Sequence, residues 1–94
     1  MSDLLSILRL EHKPVEVSGV RLLLRRPTVA DLAEALDVNE KTPKDANPTL
    51  LRMHVLNESG VPVFADLEAA RQCPVALGAK LVAEIEGLYA EGRS

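Results

Sequence analysis

Few side chains in this 94-residue sequence are of a type and spacing that could do chemistry. His12, His54 and Cys73 are the donors able to hold a transition metal. They fall in three separate segments, without the C-x-x-C or H-x-x-x-H pairing by which a structural zinc site gathers its ligands. His12 reads as an exposed loop residue and His54 as a half-buried helix residue. Cys73 precedes Pro74 at a helix end, with no histidine close in sequence, and reads as a buried inert thiol rather than a nucleophile. No G-x-S-x-G, no phosphate-binding G-x-x-x-x-G-K and no glycine-rich loop occurs. Asp31, Glu34 and Asp37 line the outer side of a helix, and Glu84 and Glu86 point to different sides of theirs. An acid–base pair needs burial to drive its two pKa values apart, so both sets read as solvated carboxylates. The expectation is a non-enzymatic chain with no catalytic residue, no metal and no cofactor.

Two patterns are left that could bind rather than react. Arg21, Arg25 and Arg26 form the only basic cluster, with Arg21 and Arg25 on one face of a strand around Leu23. They make either a solvated hairpin face opposite Glu16 or a stripe for an acidic partner. Ala79, Ala83 and Gly87 recur every four residues on a helix that already has a broad aliphatic stripe. Small residues in a row let another helix approach closely. That helix is either one of the chain's own or a partner's. Ala79, Ala83, Gly87, Arg21 and Arg25 are therefore the candidate partner-binding residues.

The elements that carry these residues follow from pattern. Residues 3–10 (DLLSILRL) read as a short helix with Leu4, Ile7 and Leu8 in helical spacing, too short to stand alone. Residues 14–26 read as a β-hairpin turning at Ser18-Gly19, which pairs Val17 with Val20, Glu16 with Arg21 and Val15 with Leu22. Thr28 and Asp31 read as a capping box opening a helix whose apolar stripe is Val29, Leu32, Ala33 and Leu36. Residues 39–48 (NEKTPKDANP) read as a polar, mobile loop, closed by Asn47 as a helix cap before Pro48. Residues 49–56 fit helix or strand, and the Asn-Pro start favours helix. Glu58-Ser59-Gly60 reads as a turn, and residues 61–64 as an extended segment that Pro62 confines to an edge. Asp66 caps a helix over 67–73, which Cys73-Pro74 ends. Residues 75–90 form the longest helix, with Leu77, Leu81, Val82, Ile85, Leu88 and Tyr89 as its stripe. The fold class expected is α+β, helix-dominated: a short N-terminal β-hairpin packed with four or five helices in a single domain, 1–94.

Composition narrows the function classes. Eleven basic against fourteen acidic side chains give a net charge of −3, which argues against a nucleic-acid binder. Aromatic residues are 2%, Phe64 and Tyr89, too few for a base-stacking platform or an aromatic ligand pocket. No run approaches the roughly 20 apolar residues of a membrane span. The first ten residues include Asp3 and no basic leader, so a signal peptide is not expected. A lone cysteine fits a reducing compartment. A short chain with this much aliphatic helix completes its burial against another molecule.

The stretch NESGVPVFADLEAA at Asn57–Ala70, followed after Pro74 by an aliphatic helix, lies downstream of a β segment, VSGVRLLLRRPTVAD, that runs directly into an amphipathic helix. This layout over about residues 15–90 resembles the small tail assembly chaperones of long-tailed bacteriophages and prophages. The resemblance implies a non-enzymatic, mostly helical protein of the host cytoplasm. It would bind the aggregation-prone tape-measure protein, recruit tail tube subunits and be absent from the finished virion. It also implies self-association into homo-oligomers as an open option and, in many relatives, a longer product made by ribosomal frameshifting. The strand-like N-terminal hairpin departs from a purely helical fold. The residues alone leave a second reading open: a small regulatory or adaptor domain, antitoxin-like or enzyme-accessory.

Overall fold

Two valines and a tight turn set the first element. In the computed structural model, which describes residues 12–93, β1 (His12–Val17) and β2 (Val20–Arg25) pair antiparallel. Their register is Val17 to Val20, Glu16 to Arg21 and Val15 to Leu22, the one the residue types require. Ser18 and Gly19 both take positive φ, 53° and 79°, as a two-residue turn matched to strand twist demands. Pro14 lies inside β1 rather than at its start. It sits opposite Leu23, a pair that exchanges no hydrogen bonds in this register, and β1 is an edge strand, so the missing N–H costs nothing. The helix expected over residues 3–10 lies outside the described residues.

Helix α1 (Val29–Lys41) begins at the expected capping box. The Asp31 N–H donates to Thr28 Oγ1 (3.1 Å) and the Thr28 N–H to Asp31 Oδ2 (2.9 Å). The polar stretch after it is not a loop. α1 runs on to Lys41, Pro43–Asp45 forms a 3₁₀ turn, and α2 (Ala46–His54) follows at once. Backbone groups left over at each junction find partners: the Thr42 N–H donates to the Val38 carbonyl and the Asp45 N–H to that of Thr42. Proline-rich polar sequence can thus continue helically where Pro43 and Pro48 each fall in a first turn, whose N–H groups lack intrahelical partners. Asp45, not Asn47, is the residue before α2, and its side chain makes no capping bond. Arg71 Nη2 reaches that carboxylate at 2.8 Å.

Residues 49–56 satisfy both expectations in turn. They are helical to His54 and extended at β3 (Val55–Leu56), which pairs with β2 through Leu24–Val55 and Leu23–Leu56. Glu58–Gly60 turn the chain, Gly60 at φ 81°, and the extended segment beyond meets the other edge of β3 as one bridge, Leu56 to Pro62. Asp66 caps α3 (Leu67–Arg71) through the Ala69 N–H at 2.8 Å, and α4 (Val75–Arg93) closes the chain. The described residues thus hold a three-stranded sheet, ordered β1-β2-β3, and four α-helices, an α+β and helix-dominated fold.

Core packing explains the assembly. Pleating puts Val15, Val17, Leu22, Leu24 and Val55 on one sheet face. Leu81, Val82, Ile85 and Leu88 of α4 cover it, with Leu51 of α2 and Ala70 of α3 filling between. Lys13 at the end of that face pairs with Glu84 of α4 at 3.3 Å. Ile85 is fully enclosed by this cluster. Ile85→Ala is expected to lower unfolding free energy by about 2–5 kcal/mol, the usual cost of emptying an aliphatic core site, as measured by urea denaturation. A loss below 1 kcal/mol would mean that α4 does not seal the sheet.

Candidate functional site

Asp31 does not point to solvent. It retains 9% of its exposure, while Val29 and Leu36 of the same helix retain 87% and 54%. Arg25 explains the reversal. Its Nη1 and Nη2 donate to Asp31 Oδ2 and Oδ1 at 2.7 and 3.1 Å, and its Nε to the Met53 carbonyl at 3.1 Å. A bidentate, charge-assisted pair outweighs exposure of a few aliphatic groups, so α1 turns its carboxylate inward and Val29, Ala33 and Leu36 outward, with Leu32 half-buried. The expected solvent side thus holds at Glu34 and Asp37 and fails at Asp31. Arg25, expected in a binding stripe with Arg21, has its guanidinium engaged within the protein. Arg21 remains exposed on the same sheet face.

The pair continues into a chain of polar contacts. His54 is fully buried rather than half-buried, and its Nδ1 lies 2.8 Å from the Arg25 carbonyl. A carbonyl only accepts, so Nδ1 carries the proton. Nε2 then accepts from the Tyr89 hydroxyl at 2.7 Å. Asp31, Arg25, His54 and Tyr89 thus tie α1, β2, α2 and α4 together. Burial lowers the His54 pKa below its ordinary 6.5 and raises that of Tyr89 to about 12, so the ring stays neutral and the phenol protonated. Burial also pushes Asp31 upward, but the hydrogen bonds from Arg25 and Thr28 and the Arg25 charge bring it net below 3.8.

This arrangement holds structure and offers little to a substrate. The cleft beside it, about 530 Å³, is lined by His12, Arg25, Asp31, Glu34, Arg52 and neighbours. Its charges cancel pairwise, since Arg52 also bonds Glu34 at 3.1 Å. His12, expected in a loop, lies in β1 and lines this cleft. Among the described residues no three His, Cys, Asp or Glu side chains are grouped to hold a metal ion. Cys73 is partly buried, and burial raises its thiol pKa.

The surface is where apolar groups collect. Ala79, Ala83 and Gly87 are all exposed on α4, and no atom outside the helix backbone lies within 4 Å of where a Gly87 Cβ would stand. The chain's own described helices do not use this row. Val29, Ala33 and Leu36 stand exposed on α1. Between the two helices runs a groove of about 350 Å³, floored by Leu50 and walled by Leu32, Leu36, Tyr89 and Ala90.

The same architecture occurs in a solved phage protein. The structure of the bacteriophage HK97 tail assembly chaperone superposes with a TM-score of 0.66, covering 94% of this chain and 95% of that one, at 23% sequence identity. This chain has that chaperone's fold. No family model matches its sequence, and no curated protein does. The resemblance carried by residues 15–90 is therefore met at the level of architecture. No helix among the described residues is long and apolar enough to cross a membrane.

Two expectations follow from the polar chain. The unfolded state takes up a proton at His54 near pH 6.5 while the native state stays neutral, so stability falls as pH drops below 6.5, and further below 3.8 as Asp31 protonates. On the alkaline side the unfolded phenol ionises first, so stability falls between pH 10 and about 12. Urea midpoints against pH should show both limbs, and Tyr89→Phe should remove much of the alkaline one. Asp31→Ala should cost about 2–3 kcal/mol, held below the figure for a fully buried pair because the Arg25 side chain keeps 35% exposure.

Proposed function

We propose that this chain is a non-enzymatic tail assembly chaperone of a long-tailed phage or prophage. In this reading it works in the host cytoplasm, binding the tape-measure protein and tail tube subunits while the tail is built. The observation that carries the reading is the likeness of its whole described fold to the HK97 chaperone. The physical character of the surface supports it. Two helices display aliphatic and small residues that the protein's own core leaves uncovered. Exposed apolar helix surface of this kind suits reversible coverage of a partner helix better than turnover of a small molecule.

Contact is assigned to the Ala79, Ala83 and Gly87 row, which admits a close-packed helix, with Arg21 of the exposed strand face giving a charged edge. Arg25 acts instead as an internal tie. A second copy of the chain beside the first would extend coverage along a long client.

Co-expression with a candidate tape-measure protein from the same genome tests this. Soluble client should rise several-fold, and the two should co-purify. Ala83→Glu should abolish co-purification while leaving the unfolding free energy from urea denaturation within about 0.5 kcal/mol of wild type, because the site is exposed. No gain in soluble client and no co-purification would overturn the reading.

A further inference from the structure

The groove between α1 and α4 has the build of a helix receptor. Neither wall packs extensively on the other, and both rest on α2, so Leu50 forms a floor with an open slot above it. Leu32 and Leu36 stand on one wall, and Tyr89 and Ala90 on the other. Val29 and Ala33 stand exposed on α1 beside it. Among the described side chains the charges at the lips are acidic. Glu86 lines the groove, Glu40 follows Leu36 by one helical turn, and neither joins a salt bridge among the described residues. No lysine, arginine or histidine lines the slot.

A mainly apolar trough, with Asn39 and Asn47 in its lining, beside carboxylates that join no salt bridge among the described residues complements a helix with aliphatic anchors at i, i+3 or i+4, and i+7, flanked by lysine or arginine. We infer that this groove binds an amphipathic client helix with basic flanks, its aliphatic side chains seated over Leu50 between Leu36 and Ala90. The inference rests on the chaperone reading above and deepens it: it names the chemistry of the client segment and the place where it docks. It also orients that segment, since the basic residues must lie on the two sides facing Glu40 and Glu86.

Fluorescence anisotropy with the full-length chain and two labelled synthetic helices tests it. Both carry the same leucine stripe, one with Lys and Arg flanks and the other with Glu in their place. The basic helix should bind at least tenfold tighter, and its advantage should shrink in high salt. Glu86→Lys should narrow the gap. Leu36→Ser and Ala90→Gln, both at exposed positions, should each weaken the basic helix tenfold without altering the circular dichroism spectrum; two variants guard against misfolding of either. Equal binding of the two helices, or full binding by both lip variants, would overturn the inference. So would self-association lost in Leu36→Ser, which would mean that a second copy fills the slot. Co-purification of a tape-measure protein that survives Leu36→Ser would sink the groove and leave the chaperone reading standing. Failure of wild type to co-purify would sink the reading itself.

Discussion

The bidentate contact between Arg25 and Asp31 is the constraint from which the rest of the architecture follows. Asp31 accepts from the Thr28 backbone at the start of one helix and from a guanidinium on the central strand of the sheet. The carboxylate therefore fixes both where α1 begins and which of its sides faces inward. Arg25 passes the connection on: its Nε holds the end of α2 at Met53, and its carbonyl holds His54. Tyr89 completes the line into α4. Each nitrogen of the Arg25 guanidinium, the His54 Nδ1–H and the Tyr89 hydroxyl all have an acceptor, so no member of the chain is left without a partner.

Rotating α1 about that anchor has a consequence for the surface. A helix that buried its aliphatic stripe would leave a polar exterior and a larger core. This one buries a carboxylate and sets Val29, Ala33 and Leu36 outside. On α4 the core needs only one side, covered by Leu81, Val82, Ile85 and Leu88, and the small residues opposite remain open. Leu36 of the one and Ala90 of the other line the groove between the two helices. Association through such surfaces is favourable in proportion to apolar area and carries few directional requirements.

Much of the backbone was legible from local chemistry. The Ser18-Gly19 turn flanked by chemically matched pairs allows one register, and the structure has it. Thr28 with Asp31, and Asp66 before its helix, are caps whose bonds form within three residues, so tertiary context does not alter them. Residues 75–90 repeat their apolar pattern over four turns, which leaves little competition from strand. Residues 39–48 misled because proline, asparagine and threonine favour turns on average, whereas here each proline falls in a helical first turn. Residues 49–56 looked mixed because they are mixed: a helix that becomes a strand at Val55.

The sequence by itself determined the hairpin and its register, the capped starts of α1 and α3, and the α4 stripe. Those features depend on bonds between near neighbours or on periodicity along one element. Only the tertiary structure decided which side of α1 is buried, whether the alanine row serves the protein's own core, and that His54, Arg25 and Tyr89 form one line. Each of those outcomes joins groups 6 to 35 residues apart in the chain, and a charge that reads as solvated becomes an anchor once its partner is brought beside it. A capping box carboxylate six residues after an arginine was the one local sign of that anchor, and its strength depended on a sheet that the distant β3 had to complete.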